Sequence, residues 1–480
     1  MPKNLREYLE EIEEKYPGEL MKVEREVNPT KFEVTAILQH LENRKRFPMM
    51  LFENPLNSKG QRAGISLLSN VFASRERCAI ALGLRPEKSG SELSLLYAEK
   101  EKNPINPVLL HKSHSPVKEI VKTGSDVDLF EYPIVRHHDM DSAPYINMTV
   151  VVKDPDKDFY NISFQRTMLQ GKQQLGIQMG FRHNLAIAQK YEARKEVVPL
   201  IIVVGHHPAF YLGSLNILPF GVNDYEVLGG FMGEAVRLCP SETWGDEFLV
   251  PADAEMVLEG EMIPWERQAE APFGEFTGYY GPQRYFPIIR VKAITHRKDP
   301  IFQHVFVGHR DVSILGGIPK EGGLLNAIRG IIPTAKAVYF PPSGQCRFYA
   351  FISIKKTHEG ASKQAALTAL AHCDFIKYCI IVDEDIDVFN DEEVWWAVAT
   401  RAQPAEDLDI LRNVKGSELD PSQTREDTTS KLIIDATKPL NRPFAPRLSI
   451  PEEVMNRIRL EDYTETQKVR ENAFRTNRKR

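Results

Sequence analysis

Two carboxylates five residues apart, Glu270 and Glu275, lie in the turn-rich segment EAPFGEFTGYYG. An irregular backbone can direct both carboxylates into one cleft, where mutual repulsion and desolvation raise the pKa of one of them. A carboxylic acid with a pKa near the working pH can donate a proton in catalysis. The spacing alone also fits two solvated carboxylates in a loop, so both interpretations stay open.

A second candidate is the strand-like run YNISFQR, which ends at Arg166. Asn161 and Arg166 are separated by five residues, and this odd spacing places two side chains on opposite faces of a regular strand. Both could serve one site only if the backbone bends or bulges between them. Taken alone, the run favours an exposed strand with a surface arginine.

Asn161, His183 and Asp224 could together hold a divalent cation. Carboxylate, amide oxygen and imidazole suit Mg²⁺ or Mn²⁺. The three residues are far apart in the sequence, and nothing local shows that they meet. The acidic run 383–387, which follows an apolar strand, is interpreted as a charged loop.

Several familiar motifs are absent from the 480-residue sequence. No GxGxxG or GxxxxGK run follows a predicted strand, so neither a Rossmann dinucleotide site nor a P-loop is predicted. No GxSxG sequence provides a hydrolase nucleophile elbow. The residues by themselves therefore predict an α/β protein with a cleft, and leave its activity open.

Composition excludes some partners and compartments. The formal net charge of -5 offers no field suited to a polyanion, so we predict no nucleic-acid partner. The charged amphipathic N-terminus has no apolar signal region, and no apolar run is long enough to span a membrane. We therefore expect a cytoplasmic protein without a membrane partner. Five scattered cysteines predict reduced core residues and no disulfide framework.

The elements that must position the candidates fall into an α/β, a β-rich and a second α/β region. We predict an N-terminal α/β domain over 1–115, a central antiparallel barrel over 116–312, a linker helix over 313–335 and a C-terminal α/β domain over 336–480. Among the individual predictions are helices at Leu5–Lys15, Leu324–Ile331 and Glu392–Arg401 and strands at Tyr160–Met168 and Glu255–Gly260.

Four ordered segments over some 275 residues resemble the UbiD-like decarboxylases. They are NISFQR with the following GIQMGFRHNLA, VNDYEVLGG with PADAEMVLEGEM, the glutamate-containing EAPFGEFTGYYG, and TSKLIIDATKP near the C-terminus. The resemblance implies that the barrel is a split barrel of the flavin-reductase-like type. It also implies reversible loss of CO₂ from an aromatic, heteroaromatic or α,β-unsaturated carboxylic acid with prenylated FMN as cofactor.

The resemblance also implies roles for individual residues. Asn161, His183 and Asp224 match ligands of a Mn²⁺ or Mg²⁺ ion that binds the cofactor phosphate, with K⁺ as a further cation. The catalytic network is matched by Arg166, Glu270 and Glu275, with Glu275 as the proton donor. The remaining contacts to prenylated FMN fall on Phe164, Gln165, Arg166, Arg182 and Lys431.

The sequence departs from the family pattern at three positions. Asp224 stands where the family usually has glutamate, which leaves open whether Glu226 is the metal ligand instead. Thr429 and Ile433 replace two usual glycines on either side of Lys431. These last changes leave the local backbone around that lysine open.

The same resemblance implies the partners. They are a small carboxylic acid and CO₂, a flavin prenyltransferase that supplies the cofactor, and further copies of the chain in a homodimer or homohexamer, with a twofold interface at the C-terminal helices. Two other classes stay open. One is a flavin-binding oxidoreductase on a split barrel, and the other is a non-catalytic subunit of a carboxylase complex.

Overall fold

The structure, a computed structural model, describes residues 2–180, 182–425, 428–459 and 462–463. Its N-terminal region alternates helices and strands: α1 Leu5–Lys15, β1 Leu20–Val23, α2 Glu33–Asn43, β2 Met49–Phe52, β3 Ser66–Ser69, α3 Arg75–Ala81 and α4 Ser91–Lys100. The sheet has the order β1-β2-β3-β16, so its last strand, β16 at Ile301–Gln303, returns from the other side of the central region. The N-terminal and central regions therefore share one sheet.

Helix α1 illustrates how the local sequence sets an element. Asn4 caps it, because the Asn4 side chain accepts hydrogen bonds from the N–H groups of Arg6 and Glu7. The buried residues of the helix follow the spacing of one helical face and are Leu5, Tyr8, Leu9 and Ile12. The predicted bounds of this helix are confirmed.

The central region contains most of the strands. Its elements are β4 Val108–Leu109, β5 Ile120–Thr123, β6 Tyr145–Lys153, β7 Tyr160–Gly171, β8 Gln174–Ile177, α5 His183–Arg194, β9 Val198–Val204, α6 Pro208–Gly213, α7 Asp224–Met232, β10 Arg237–Ser241, β11 Gly245–Pro251, β12 Met256–Glu270, β13 Phe273–Gly274, β14 Tyr280–Gly281 and β15 Arg284–His296.

Six of these strands close into an antiparallel barrel of order β12-β9-β6-β7-β8-β15, because β15 also pairs with β12. Strand β5 pairs with β15 at Ala293–His296, beyond the stretch of β15 that pairs with β8. The mixed α/β fold class with a central barrel is confirmed. Strand β12 is much longer than predicted, since it continues beyond Gly260 to Glu270 through a register shift between Met262 and Arg267.

The C-terminal region contains α8 Arg310–Arg329, β17 Ala335–Tyr339, β18 Tyr349–Ile354, α9 Ala361–His372, β19 Tyr378–Asp383, α10 Asp391–Arg401, β20 Leu408–Lys415, β21 Thr428–Ala436 and α11 Glu452–Arg457. The sheet has the order β17-β18-β19-β21-β20 and is parallel only at its centre. Its central strands are covered by α9 and α10. The basic tail 475–480 lies outside the described residues.

Helix α8 begins fourteen residues before the predicted start at Leu324. The missed half contains Gly316, Gly317 and Pro319, which disfavour a helix interior. Tertiary contact overrides this preference, because a Cβ at Gly316 would overlap the guanidinium of Arg347. The glycine thus provides the space in which a large side chain lies against the helix.

Two expectations from composition can be compared with the structure. All five cysteines are buried and unpaired by disulfides, as predicted for reduced core residues. Within the described part of the chain, no helix combines the length and apolar character needed to cross a bilayer.

Candidate active site

Arg166 lies between the two glutamates that the sequence singled out. Its Nε and Nη2 donate to Oε1 and Oε2 of Glu270 at 3.0 and 2.7 Å, and its Nη1 donates to Oε1 of Glu275. Glu270 is 0% exposed and Glu275 is 7% exposed. A guanidinium paired with one carboxylate through two parallel bonds has a fixed orientation. The three residues therefore form one compact, buried ionic network.

The chain turn after β12 places the second glutamate. Glu270 is the last residue of β12, and the segment 271–274 folds back before Glu275. Asp141 accepts the N–H of Gly274 at 2.9 Å, and the Ser142 hydroxyl donates to Ala271 O at 2.8 Å. These bonds hold the turn to the loop that precedes β6.

Two aromatic residues that the sequence did not single out pack against the network. The Arg166 guanidinium carbon lies 5.2 Å from the ring centroid of Phe273, and the rings of Phe273 and Tyr145 are 4.3 Å apart. Burial, with a further contribution from the negative charge of Glu270, raises the pKa of Tyr145 well above its usual value. These rings exclude water from the ion pair and strengthen its electrostatics.

At the other end of β7, Asn161 and His183 are brought together. Asn161 Oδ1 lies 3.1 Å from His183 Nδ1, and Asn161 Nδ2 donates to Asn184 Oδ1 at 2.6 Å. Asn184 also donates to the hydroxyl of Ser163 at 2.7 Å. Asn184 therefore orients the Asn161 amide so that its oxygen faces His183. It was missed in the sequence analysis, although it follows His183 directly.

Asp224 is 5% exposed and begins helix α7 beside the same stretch of β7. Its Oδ2 accepts the N–H of Ile162 at 2.6 Å, and its Oδ1 accepts from Asn216 at 3.0 Å. Burial raises the pKa of the Asp224 carboxyl to about 7. Glu226 is directed elsewhere, because it accepts from Asn223. Of the two acids, it is therefore Asp224 whose carboxylate contacts β7, at the residue after Asn161.

The two groups of side chains lie on opposite faces of β7. The β6–β7 register runs without a shift from Tyr160 to Met168, so Asn161 and Arg166 point to opposite sides. The bend that would place them on one face is absent from this register. At about 3.3 Å per residue, they stand roughly 17 Å apart along the strand.

An open edge of β7 connects the two ends. Strand β8 pairs with β7 only from Thr167 onward, while Asp224 covers the edge at Ile162. The N–H of Ile162 points away from β6 to Asp224, so the N–H and C=O of Phe164, two residues further on, also face this edge. Residues 163–166 are partly accessible, whereas the strand is buried on both sides of them. A ligand along this edge can reach side chains of both faces.

Three of the other predicted cofactor contacts lie on β7 or at the start of α5, whereas Lys431 belongs to β21 of the C-terminal sheet. Phe164 and Gln165 are half-buried within it, and Arg182 is exposed immediately before α5. Lys431 is 1% exposed and donates from Nζ to Asp374 O at 3.1 Å, and burial lowers its pKa.

The two departures around Lys431 lie in different surroundings. Thr429, Lys431 and Ile433 all belong to the extended strand β21, and Ile433 pairs regularly with β19. On the β20 side the register shifts between Leu411 and Val414, opposite Lys431 and Thr429. The strand pairing is therefore regular at Ile433 and irregular between Lys431 and Thr429.

The residues present fit a flavin phosphate bound through a metal ion. Helix α5 has 12 residues and begins at His183 without a side-chain cap. Its free N–H groups and dipole favour an anion. The amide, imidazole and carboxylate of Asn161, His183 and Asp224 supply the oxygen and nitrogen donors that Mg²⁺ or Mn²⁺ accepts. Among the described residues, no group of three or more His, Cys, Asp and Glu side chains could hold a metal. A metal site here therefore depends on the amide oxygen of Asn161.

Comparison with known proteins identifies the class. Family models match the chain as the N-terminal domain of 3-octaprenyl-4-hydroxybenzoate carboxy-lyase at residues 13–96, its Rift-related domain at 108–310 and its C-terminal domain at 313–436. The chain belongs to the UbiD family of carboxy-lyases. The resemblance found in the sequence is confirmed.

Relatives of similar length are decarboxylases. The chain is 31% identical over 442 residues to the anhydromevalonate phosphate decarboxylase of Methanothermobacter thermautotrophicus, covering 91% of this chain and 97% of the relative. It is 32% identical over 464 residues to the phenolic acid decarboxylase of Sedimentibacter hydroxybenzoicus, covering 93% of each chain.

Solved structures agree with these relatives. The UbiD-class enzyme HmfF of Pelotomaculum thermopropionicum, in complex with FMN, superposes with a TM-score of 0.88 at 34% identity, covering 96% of this chain and 100% of HmfF. Vanillic acid decarboxylase of Sedimentibacter hydroxybenzoicus in its open form gives a TM-score of 0.84 at 30% identity, covering 97% and 99% of the two chains.

Proposed function

We propose that this carboxy-lyase removes CO₂ reversibly from an aromatic, heteroaromatic or α,β-unsaturated carboxylic acid with prenylated FMN as cofactor. The observation that carries the proposal is the buried network of Arg166 with Glu270 and Glu275. It provides a group that can hold a carboxylate beside a group that can deliver a proton. A second similar structure, of an evolved dimeric form of HmfF, is in complex with prenylated FMN.

The cofactor lies along the open edge of β7 in this proposal. Its phosphate is at the start of α5, where Asn161, His183 and Asp224 hold Mn²⁺ or Mg²⁺, with K⁺ as a further cation. Arg182 and Lys431 contribute positive charge. Phe164, Gln165 and Arg166, which follow along the same edge of β7, would contact the flavin. When bound, prenylated FMN supplies the electron sink that stabilises the carbon losing CO₂.

The chain's own residues hold the acid and move the proton. Arg166 contacts the reacting carboxylate with the N–H groups that Glu270 and Glu275 leave available. Glu270 keeps the guanidinium in place through two hydrogen bonds. Glu275 gives a proton to the carbon that has lost CO₂. In the direction of CO₂ fixation, Glu275 takes that proton back.

The remaining assignments follow from the same proposal. The partners are the small acid, CO₂ and a flavin prenyltransferase that supplies the cofactor, and the compartment is the cytoplasm. The cofactor domain extends over 116–312, between the N-terminal domain at 1–115 and the linker helix at 313–335. The C-terminal domain occupies 336–480.

We also propose that the chain forms a homodimer or homohexamer through a twofold interface at α10. Trp395 and Trp396 on this helix are 40% and 41% exposed. Exposed tryptophans are rare on monomers and enriched in interfaces. One of the similar HmfF structures is of an evolved dimeric form.

One experiment tests the function. The chain is co-produced with a flavin prenyltransferase, and its absorption spectrum, CO₂ release and H/D exchange are measured on a panel of aromatic and unsaturated acids. A bound modified flavin with CO₂ release supports the proposal. NAD(P)H oxidation without CO₂ release would favour an oxidoreductase, and loaded protein inactive on every acid would favour a non-catalytic subunit.

A further inference from the structure

Two cationic side chains, Lys320 and Arg347, have no carboxylate partner among the described residues. Arg347 is 8% exposed, and its Nη1 donates only to carbonyl oxygens, those of Ser313 and Cys346, each at 3.1 Å. Lys320 is half-buried and donates from Nζ to Gly316 O at 2.6 Å. Buried charges are normally paired or bind an ion, so we expect Lys320 and Arg347 to bind an anion that the chain itself does not supply.

The electrostatics of the pair agree with this geometry. Burial lowers the pKa of Arg347 and that of Lys320, the latter to about 7. The positive charges of Arg347 and Arg182 further lower the pKa of Lys320. A bound anion would therefore relieve repulsion as well as desolvation.

The guanidinium of Arg347 occupies a site shaped for it. Gly316 in α8 leaves the space for Nη2, which a Cβ at that position would overlap. In the same helix the Ser313 carbonyl accepts from Nη1 and the Val312 carbonyl accepts from Nη2. The fold therefore fixes the position of the Arg347 side chain.

An aromatic group lies beside these cations, and one of its members, Phe276, directly follows Glu275 in the chain. The Phe276 ring is 5.3 Å from the Arg347 guanidinium carbon, 5.7 Å from the Phe348 ring and 6.0 Å from the Phe375 ring. Lys320 Nζ lies 5.6 Å from the centroid of Phe375. The cations therefore border an apolar surface on which an aromatic or unsaturated acid can pack.

The aromatic group also adjoins open space. A cavity of about 250 Å³ lies between the barrel and the C-terminal sheet, lined by residues that include Thr277, Tyr279, Phe348 and Tyr378. Phe276 stands in the chain between Glu275 and Thr277. The cavity therefore reaches the aromatic group at Phe348, whose ring is 5.7 Å from that of Phe276.

We propose that Lys320 and Arg347 bind a second anionic group, a carboxylate or a phosphate, on an acid whose reacting carboxylate lies at Arg166. This inference rests on the proposed function, which puts the reacting carboxylate there. The cofactor phosphate is the other possible anion. Its proposed site already contains the metal ligands Asn161, His183 and Asp224 and the free N–H groups at the start of α5, whereas Arg347 packs against Phe276.

The test compares binding of single and double acids to the flavin-loaded protein by calorimetry. The probes are benzoate, benzene-1,3- and 1,4-dicarboxylate, and 4-phosphonobenzoate. We expect at least one double acid to bind wild type more tightly than benzoate. Because a hydrogen bond to a charged group is lost, Lys320→Met and Arg347→Met should weaken that double acid by about tenfold or more and benzoate by less than about twofold.

The controls separate the possible sources of the anion. Lys363→Met changes an exposed lysine of α9 in the same way and should leave every affinity unchanged. Flavin content after desalting is measured for each variant. Loss of flavin with an unchanged ratio of double-acid to benzoate affinity would assign the cations to the cofactor phosphate and overturn the proposal. An unchanged ratio with full flavin content would also overturn it.

A substitute variant and two further outcomes complete the test. If Arg347→Met does not fold, Arg347→Lys retains the charge but loses the guanidinium geometry, and should weaken the double acid selectively. A wild type that binds no double acid better than benzoate contradicts the subsite. A wild type that releases CO₂ from no acid contradicts the proposed function instead, since the affinity ratio is measured without turnover.

Discussion

Arg166 engages Glu270 through two parallel hydrogen bonds of 3.0 and 2.7 Å inside a barrel wall that excludes water. The pairing fixes the plane of the guanidinium and thereby the direction of its remaining N–H groups. Glu270 is therefore a positioning residue in the proposed reaction. In the proposed reaction we assign the proton donor to the other carboxylate, Glu275, which has a single bond to the arginine.

The variant Glu275→Gln should lower turnover by about 10²- to 10⁴-fold, the usual contribution of a general acid. Glutamine keeps the size and hydrogen bonding of the side chain but has no proton to give. Flavin content and thermal stability should stay close to wild type. Turnover and H/D exchange are measured with the cofactor bound. Wild-type rates in this variant would move the proton donor to Glu270 or a nearby histidine.

The variant Glu270→Gln should lower stability more than Glu275→Gln. Glu270 is 0% exposed and accepts two charged hydrogen bonds, so its neutralisation leaves Arg166 undercompensated. We expect a loss of about 1–3 kcal/mol in the free energy of unfolding. Urea denaturation of both variants provides the measurement. Equal losses in the two would show that burial does not distinguish the glutamates.

The variant Asn184→Leu should weaken retention of both flavin and metal. It removes the acceptor that turns the Asn161 oxygen toward His183, while roughly preserving side-chain volume. Removing a residue that orients a metal ligand typically costs 10- to 100-fold in metal affinity. Metal and flavin are quantified after desalting with a chelator. Gln189→Leu, on the exposed side of α5, is the matched control. Equal retention in the two variants would exclude this role.

Acid should destabilise the protein partly through His304. Its ring is 2% exposed, with Nδ1 at 2.9 Å from the Ser69 hydroxyl, and burial lowers its pKa to about 3. The unfolded chain binds this proton near pH 6.5 and the folded chain does not, so stability present above pH 6.5 is lost as pH falls toward 3. Denaturant unfolding of wild type between pH 7 and 5 should show the loss.

The matched variants for this test are His304→Gln and His114→Gln. Removing His304 should reduce the slope of stability against pH by up to about 1.4 kcal/mol per pH unit. His114 is exposed, and its substitution should leave the slope unchanged. A wild-type slope in His304→Gln would show that other groups cause the acid sensitivity.

The charge-introducing variant Trp395→Glu should dissociate the proposed twofold assembly. A carboxylate placed on each side of a twofold contact faces its own copy and must also be desolvated. Light scattering at micromolar concentration should then change from a multiple of 54.7 kDa to 54.7 kDa. Lys363→Glu is the control on an exposed part of α9. A wild type that is already monomeric would refute the interface.

Local patterns predicted individual elements better than their extents. Helix α1 was predicted to the residue, because its cap and its apolar spacing agree. The first half of α8 was missed, since Gly316 and Gly322 disfavour a helix and are explained only by close contacts with Arg347 and with the backbone of Ser94. Such contacts join distant parts of the chain and leave no local pattern.

For the site, too, the sequence indicated the residue types but not their arrangement. Residue types at Arg166, Glu270 and Glu275 suggested acid–base chemistry, yet only closure of the barrel brings them together across more than a hundred positions. The odd spacing between Asn161 and Arg166 correctly predicted opposite faces. One ligand can reach both faces because β8 pairs with β7 only from Thr167 onward. The sequence did not indicate where that pairing begins.

Closure of the six-stranded barrel also limits which insertions the chain can tolerate. In an open sheet one strand can slip past its neighbour, and a slip of one residue exchanges its two faces. Here β7 is hydrogen-bonded to both β6 and β8 in a closed barrel, so a shift in its register would also change the register of its pairing with each neighbouring strand. Residues added to the 154–159 turn leave Arg166 facing Glu270. A single residue added between Asn161 and Arg166 would move the side chains at one end of the strand to the opposite face of the barrel.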